Sequence, residues 1–296
     1  MSWALVAFLV SPAVGQALDG RSAAVTAVAA ALGWLLWTAA LVATLVPRTT
    51  SLTVYRTIAP GTLVAAVWSA LGGGGPLATA VAVASAALAV VVAFLSVTGD
   101  VFVDGSSYGP ERRLALRPPA TLVLGVVQVT WLVAFGGLVA GPLLLAARQW
   151  VFGGVLLAAG WPAAWYALQR LHLLARRWVV FVPAGLVVHD PITLADAALF
   201  ARRSIVAVRP APVDNPSIDL TRNALGLAIE ILFDQPQELS ISPGRRQPPD
   251  SVAVRGVLCT PSRPAAFLDA ARGHRLPVPV GPSHTAVPPP TTSSPS

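Results

Sequence analysis

The stretch LHLLARRWVVFVPAGLVVHDP, residues 171–191, changes character at its centre. Up to Ala175 it reads as the apolar end of a helix. From Trp178 the side chains alternate with period two, pause at Pro183-Ala184-Gly185, and alternate again, which is the pattern of a strand hairpin. Long apolar runs precede this stretch, and short strand-like segments divided by turn residues follow it. The chain therefore passes, near Arg177, from oily helices to a compact module built of strands.

Working back towards the N-terminus, hydrophobic residues make up 55% of the 296 and charged residues only 11%, against about 45–50% and 25% in soluble domains. Residues 23–46, 77–97, 120–147 and 150–169 each supply the roughly 20 apolar residues that a spanning helix needs. Residues 57–71 are shorter but uncharged, and Gly72-Gly73-Gly74-Gly75-Pro76 separates them from 77–97. Glycines and a proline there end one helix and begin the next, so the two read as a helical hairpin. That makes five spans. Residues 2–18 are apolar but interrupted by Pro12 and Gln16. They form either a sixth, shorter span or a helix lying in the interface. The first basic residue is Arg21, so the positive start of a secretory signal is missing.

The formal net charge is +7, and all twenty basic residues are arginine. Absent lysine beside abundant Ala, Val, Pro and Gly fits the codons of a GC-rich genome. Arg48 and Arg56 in loop 47–56, Arg112, Arg113 and Arg117 in loop 98–119, and Arg170, Arg176 and Arg177 after the last span fall on one side of the five-span arrangement. Arg21 and Arg148 fall on the other. The positive-inside rule then places the basic side, with everything after residue 177, in the cytoplasm of a cell membrane protein. No Asp, Glu, Arg or His lies inside the five core stretches, which argues against an ion-coupled transporter. Gln128 and Thr130 are the most polar interior pair, and a hydrogen bond to a neighbouring helix is the preferred reading over a substrate site. Gly137 and Gly141 have the spacing that lets two helix backbones approach, within the chain or in a homo-oligomer.

The loop GDVFVDGSSYGPERRLALRPP, 99–119, is the longest between spans. DVFVDGSSYG reads as a short strand turning at Asp104-Gly105, and RLALR as a second strand or an interfacial turn. Arg112, Arg113 and Arg117 make either a headgroup or partner site, or an anchor whose charges pair locally with Asp100, Asp104 and Glu111. Two aspartates are too few to hold Mg²⁺ or Ca²⁺.

Beyond the hairpin come SIVAV (204–208), SIDL (217–220), LAIEILF (227–233), ELSIS (238–242) and VAVRGVLC (252–259). Turns are expected at Asp214-Asn215-Pro216, Asp234-Gln235-Pro236 and Ser242-Pro243-Gly244. PSRPAAFLDAARGH reads as a closing amphipathic helix with Pro264 in its first turn and Gly273 at its end. Seven short strands and one helix predict a small, partly closed barrel. The domains are then a helical membrane part (1–177), a β-rich cytoplasmic module (178–275) and a disordered Pro/Ser/Thr-rich tail (276–296).

The order from FVPAGLVVHD (181–190) through Arg202, Arg203, Ser204 and Ile205 to the closing helix resembles bacterial pleckstrin-homology-like domains. With its PRTTSLTVYR, DGSSYGPERR and SRPAAFL phrases, the whole chain resembles uncharacterised multi-pass membrane proteins of actinobacteria. Lipid-binding members of the wider fold cluster basic residues in the first hairpin; here that hairpin holds Pro-Ala-Gly and no charge. Arg202 and Arg203 remain as candidates to meet an anionic phospholipid surface or a protein partner, each worth about 1 kcal/mol beside anionic lipid. Thirteen arginines against nine acids between residues 170 and 275 suit a position near a bilayer and are too balanced for a nucleic-acid platform. HExxH, GxSxG, a P-loop lysine and paired cysteines are missing, and His172, His189, His274 and His284 are scattered, so no catalytic, metal or cofactor site is expected. The single Cys259 reads as a small buried side chain. These features together imply a membrane-anchored adaptor or regulator. The alternative is a subunit of a transport or lipid-processing complex, with a hydrophobic path among its spans.

Overall fold

A computed structural model describes residues 2–212, 216–242 and 250–279. Helices α1 (Ser2–Leu18), α2 (Ala23–Leu45), α3 (Thr49–Leu71), α4 (Pro76–Phe94), α6 (Val127–Ala146) and α7 (Trp150–Ala175) form a bundle. Among the described residues, four stretches are long and apolar enough to cross a membrane: Ala23–Leu45, Pro76–Phe94, Leu122–Ala146 and Trp150–Ala175. The expected count of five spans is corrected on this point. The stretch 57–71 is the second part of α3, a 23-residue helix that begins at Thr49 and buries Thr53, Thr57 and Ser69. The loop expected at 47–56 is therefore mostly helix, and Arg56 lies within it. α3 tolerates this polarity because α1, α2, α4, α6 and α7 all pack on it. Arg56 donates to the Ala93 carbonyl at the end of α4 (3.0 Å) and lies over the Phe94 ring. There it satisfies a carbonyl that the helix end leaves open. α1 is a 17-residue apolar helix. Its Trp3 indole donates to the Trp37 carbonyl of α2 (3.0 Å), the Trp37 indole donates to the Trp3 carbonyl (3.2 Å), and Gln16 at its other end accepts from Gly75 N (2.7 Å).

Short-range packing follows the small residues. A Cβ on Gly137 would lie 2.5 Å from the Gly160 carbonyl oxygen, and one on Gly141 2.9 Å from Leu157 N. Gly137 and Gly141 thus sit where α6 meets α7, and close approach of the two backbones requires them to be glycine. Gln128 and Thr130 bond within their own helix, accepting from Gly125 N (2.9 Å) and donating to the Val126 carbonyl (2.7 Å) respectively. The backbone is non-helical at Leu124 and Gly125 (φ +107°), so Gln128 satisfies an amide that this break releases.

DVFVDG is helical, contrary to its alternating pattern. After a break at Leu95, α5 (Ser96–Asp104) packs on α3, α4 and β1 (Arg112–Ala115). Of RLALR, expected as a strand or an interfacial turn, residues 113–115 lie in a strand whose partner is far along the chain: β1 pairs antiparallel with β2 (Trp178–Val182), Leu114 opposite Val179. β3 (Gly185–His189) and β4 (Ala198–Ala201) complete a sheet of order β1-β2-β3-β4. Gly185 has φ +155°, and a Cβ there would run into the Phe200 carbonyl oxygen, so only glycine closes the β2–β3 turn.

The second sheet has order β5-β7-β8-β6, from β5 (Ile205–Pro210), β6 (Ile218–Asp219), β7 (Ile229–Ile241) and β8 (Asp250–Cys259). The two strands expected at 227–233 and 238–242 are one, carried past Asp234-Gln235-Pro236 by a register shift against β8 between Leu232 and Gln237. β6 runs parallel to β8. The two sheets do not close into the expected barrel: each stays an open four-stranded layer. Their inner faces share one core, with Val179, Phe181, Leu186, Val188 and Phe200 meeting Val208, Ile229, Ile231, Leu239 and Val257. α8 (Pro264–Gly273) covers it with Phe267, whose ring meets that of Phe181 at 4.9 Å. The first residues of the stretch expected to be disordered are packed: Leu276 is buried and Val208 N donates to the Pro277 carbonyl (2.7 Å). The turns expected at 214–216 and 242–244 fall largely outside the described residues, and the tail from residue 280 does so entirely.

Candidate functional site at the junction of helices and sheets

α7 ends at Ala175 and β2 begins at Trp178, so the two residues between them set how the sheets hang from the membrane part. Arg177 is 1% exposed. Its Nε and Nη2 donate to the two Asp190 carboxylate oxygens (2.9 and 2.6 Å), and Nη1 donates to the Arg117 carbonyl (2.5 Å). Asp190 also accepts from Ile192 N (3.1 Å). One guanidinium thus fastens the last helix, the end of β3 and the strand-bearing loop, in the bidentate geometry that arginine alone offers.

A second buried group works on the opposite side of β1. Asp100 of α5 accepts from Ala115 N (3.0 Å) and from the Ser262 hydroxyl (2.9 Å), and Arg263 stands 3.6 Å away. Burial pushes its carboxyl above the usual carboxylate range, against the opposing pull of the Ala115 N–H, the Ser262 hydroxyl and Arg263. Ser262 and Arg263 lie between β8 and α8, so this carboxylate ties α5 to the second sheet. Sequence reasoning passed over Arg177, Asp190 and Ser262. Their one signal was the pair of arginines at a helix exit, which the positive-inside pattern already explained.

The expected site residues divide into two groups. Arg112 pairs with Asp104, Arg113 with Glu111 (3.1 Å), and the Asp104 carboxylate also accepts from Arg113 N (2.8 Å). Arg117 donates to the Leu225 and Ser262 carbonyls (3.1 and 3.4 Å). Arg112 and Arg113 are thus paired within the loop itself, and Arg117 holds the loop onto the module. Arg202 and Arg203 are exposed, in a single turn between β4 and β5. The register Gly185↔Ala201 puts them at the end of the first sheet opposite the α7 junction, where Trp178 pairs with His189. Cys259 is buried, and burial pushes its thiol up to about 12. Among the described residues no three or more His, Cys, Asp and Glu side chains gather.

Comparison with known proteins returned no family model, no curated protein and no solved structure that matches this chain.

Proposed function

We propose that the chain is a membrane-anchored adaptor whose β-rich module, of pleckstrin-homology-like order, faces the cytoplasm and recruits a protein partner through the turn at Arg202 and Arg203. One observation carries this reading. Arg202 and Arg203 stand exposed beside Leu199 and Val206, which are 59% and 54% exposed. Arginine among apolar side chains is the composition of a contact surface. Placement at the end of the sheet away from the α7 junction favours a soluble partner over the lipid surface beneath the helices. The test is affinity purification of the full chain in mild detergent, beside a R202E/R203E variant. A protein recovered in near-equal amount with the wild type and lost from the variant supports the reading. An unchanged set of co-purifying proteins counts against it.

A cavity of about 210 Å³ among Trp3, Tyr55, Val92, Val97, Val101 and Phe102 favours the second reading, a hydrophobic path in a transport or lipid-processing complex. Filling it with V101W and finding full function in cells would remove that reading.

A further inference from the structure

A second cavity, of about 220 Å³, opens where α7 hands over to the sheet, lined by Arg176, His189, Asp190, Leu194 and Asp196. That is smaller than the roughly 300–1,000 Å³ of pockets for drug-sized ligands, and it matches a small polar group. Its walls are fixed. The Arg176 amide donates to the last carbonyls of α7 (3.2 and 3.3 Å to His172 and Leu173). The His189 ring packs tilted against that of Trp178, with centroids 4.5 Å apart. The loop after Asp190 is pinned by Leu194 N to the Asp190 carbonyl (2.8 Å) and Ala195 N to Ser240 (2.9 Å).

The charges lining the cavity are of both signs. Arg177 consumes the charge of Asp190 from behind. Among the described residues, neither Arg176 nor Asp196 has an ion-pair partner, so one cation and one anion are left to face the cavity. Burial, and then neighbouring Arg176, hold the His189 imidazole below its ordinary range. At neutral pH it is therefore an uncharged hydrogen-bonding group, and Arg176 is the cation. A purely anionic ligand would leave Asp196 opposed by like charge, and a purely cationic one would do the same to Arg176. A ligand carrying both a phosphodiester and a primary amine satisfies both. The cavity lies at the first residue after a membrane-spanning helix, the depth at which phospholipid headgroups sit.

We propose that this cavity binds the phosphoethanolamine headgroup of a membrane lipid, with Arg176 and His189 on the phosphodiester and Asp196 on the ammonium. The proposal rests on α7 being a span and does not need the partner surface at Arg202 and Arg203. The two readings therefore fail separately.

The test uses the full chain in detergent, incubated with phosphatidylethanolamine, phosphatidylcholine or phosphatidylglycerol and read by native mass spectrometry. One retained phosphatidylethanolamine is expected, at least fivefold above phosphatidylcholine, whose trimethylated nitrogen has no N–H to give Asp196. Arg176→Gln should abolish retention. Asp196→Asn, at an exposed position, should keep phospholipid retention and lose the preference for the amine. Equal retention of the three lipids, or wild-type behaviour of either variant, overturns the proposal. Binding of free phosphoethanolamine without retention of the intact lipid overturns the lipid assignment and makes the ligand a soluble phosphoamine.

Discussion

Asp190→Ala removes the carboxylate and leaves the Arg177 guanidinium where it is, 1% exposed and without its two charge-assisted bonds. Stranding one member of a buried pair costs about 3–5 kcal/mol, because the remaining charge cannot reach water. The Arg117 carbonyl would still be satisfied by Nη1, so the loss falls on the ion pair and on Ile192 N, which also donates to Asp190. Replacing both partners, as R177M/D190L, removes the charge problem. It leaves the Arg117 carbonyl and Ile192 N to find new partners, worth about 1–3 kcal/mol. The double variant should therefore be more stable than Asp190→Ala. Urea unfolding of the detergent-solubilised full chain, followed by tryptophan fluorescence, gives both numbers on one scale. A loss below about 1 kcal/mol for Asp190→Ala is the value of an exposed pair. That result, or a double variant weaker than the single, would refute the account of the junction as a sealed ion pair.

Gly137→Val places a side chain against the Gly160 carbonyl, whereas Gly154→Val in α7 meets nothing within 4 Å. The first should lower the melting temperature in detergent by the equivalent of about 1–3 kcal/mol and the second hardly at all; equal melting would count against close α6–α7 packing. The Asp100 carboxyl has its pKa raised on folding, so its protonated form is the one the fold prefers. Stability from it is complete below the unfolded value of about 3.9 and is lost as pH rises through the folded one. Asp100→Asn should thus be more stable than wild type at neutral pH, with the advantage vanishing on acidification to about pH 3–4, as read from unfolding midpoints across that range. Cys259, with its thiol pushed up to about 12 and fully enclosed, should resist a thiol-reactive dye at pH 8 until the protein is denatured; prompt labelling of the native protein would contradict the core placement.

The parts of the fold legible in the sequence are those whose signals are local. Alternation in 178–189 with Gly185 at the turn gave β2 and β3, and Pro264 and Gly273 bracketed α8. Charge-free runs marked four of the apolar helices. Where long-range contact decides, the pattern misleads. α3 reads as a short span because its first turns are polar, yet its neighbours enclose those turns. DVFVDG alternates, but Phe102 stacks on Tyr55 and Asp100 reaches β1 only if the segment is helical. β4 is four residues long and owes its existence to the edge of β3. The arginines proposed as contacts were legible as exposed or helix-flanking. Which of them are consumed by Asp104, Glu111 and backbone carbonyls was not, because those partners meet through turns. Arg176, His189 and Asp196 come together only through the β2–β3 register and the loop behind Asp190.

β1 belongs to the loop between α5 and α6, yet β2, its one sheet neighbour among the described residues, follows α7. During synthesis the ribosome makes that strand long before the strand it must lie against, with two membrane helices still to be threaded between them. β1 and β2 can meet only on the same face, which holds when α6 and α7 cross as a pair. Were only one of the two helices to cross, Leu114 and Val179 would stand on opposite faces of the bilayer. The pairing of β1 with β2 thus requires α6 and α7 to insert as a pair.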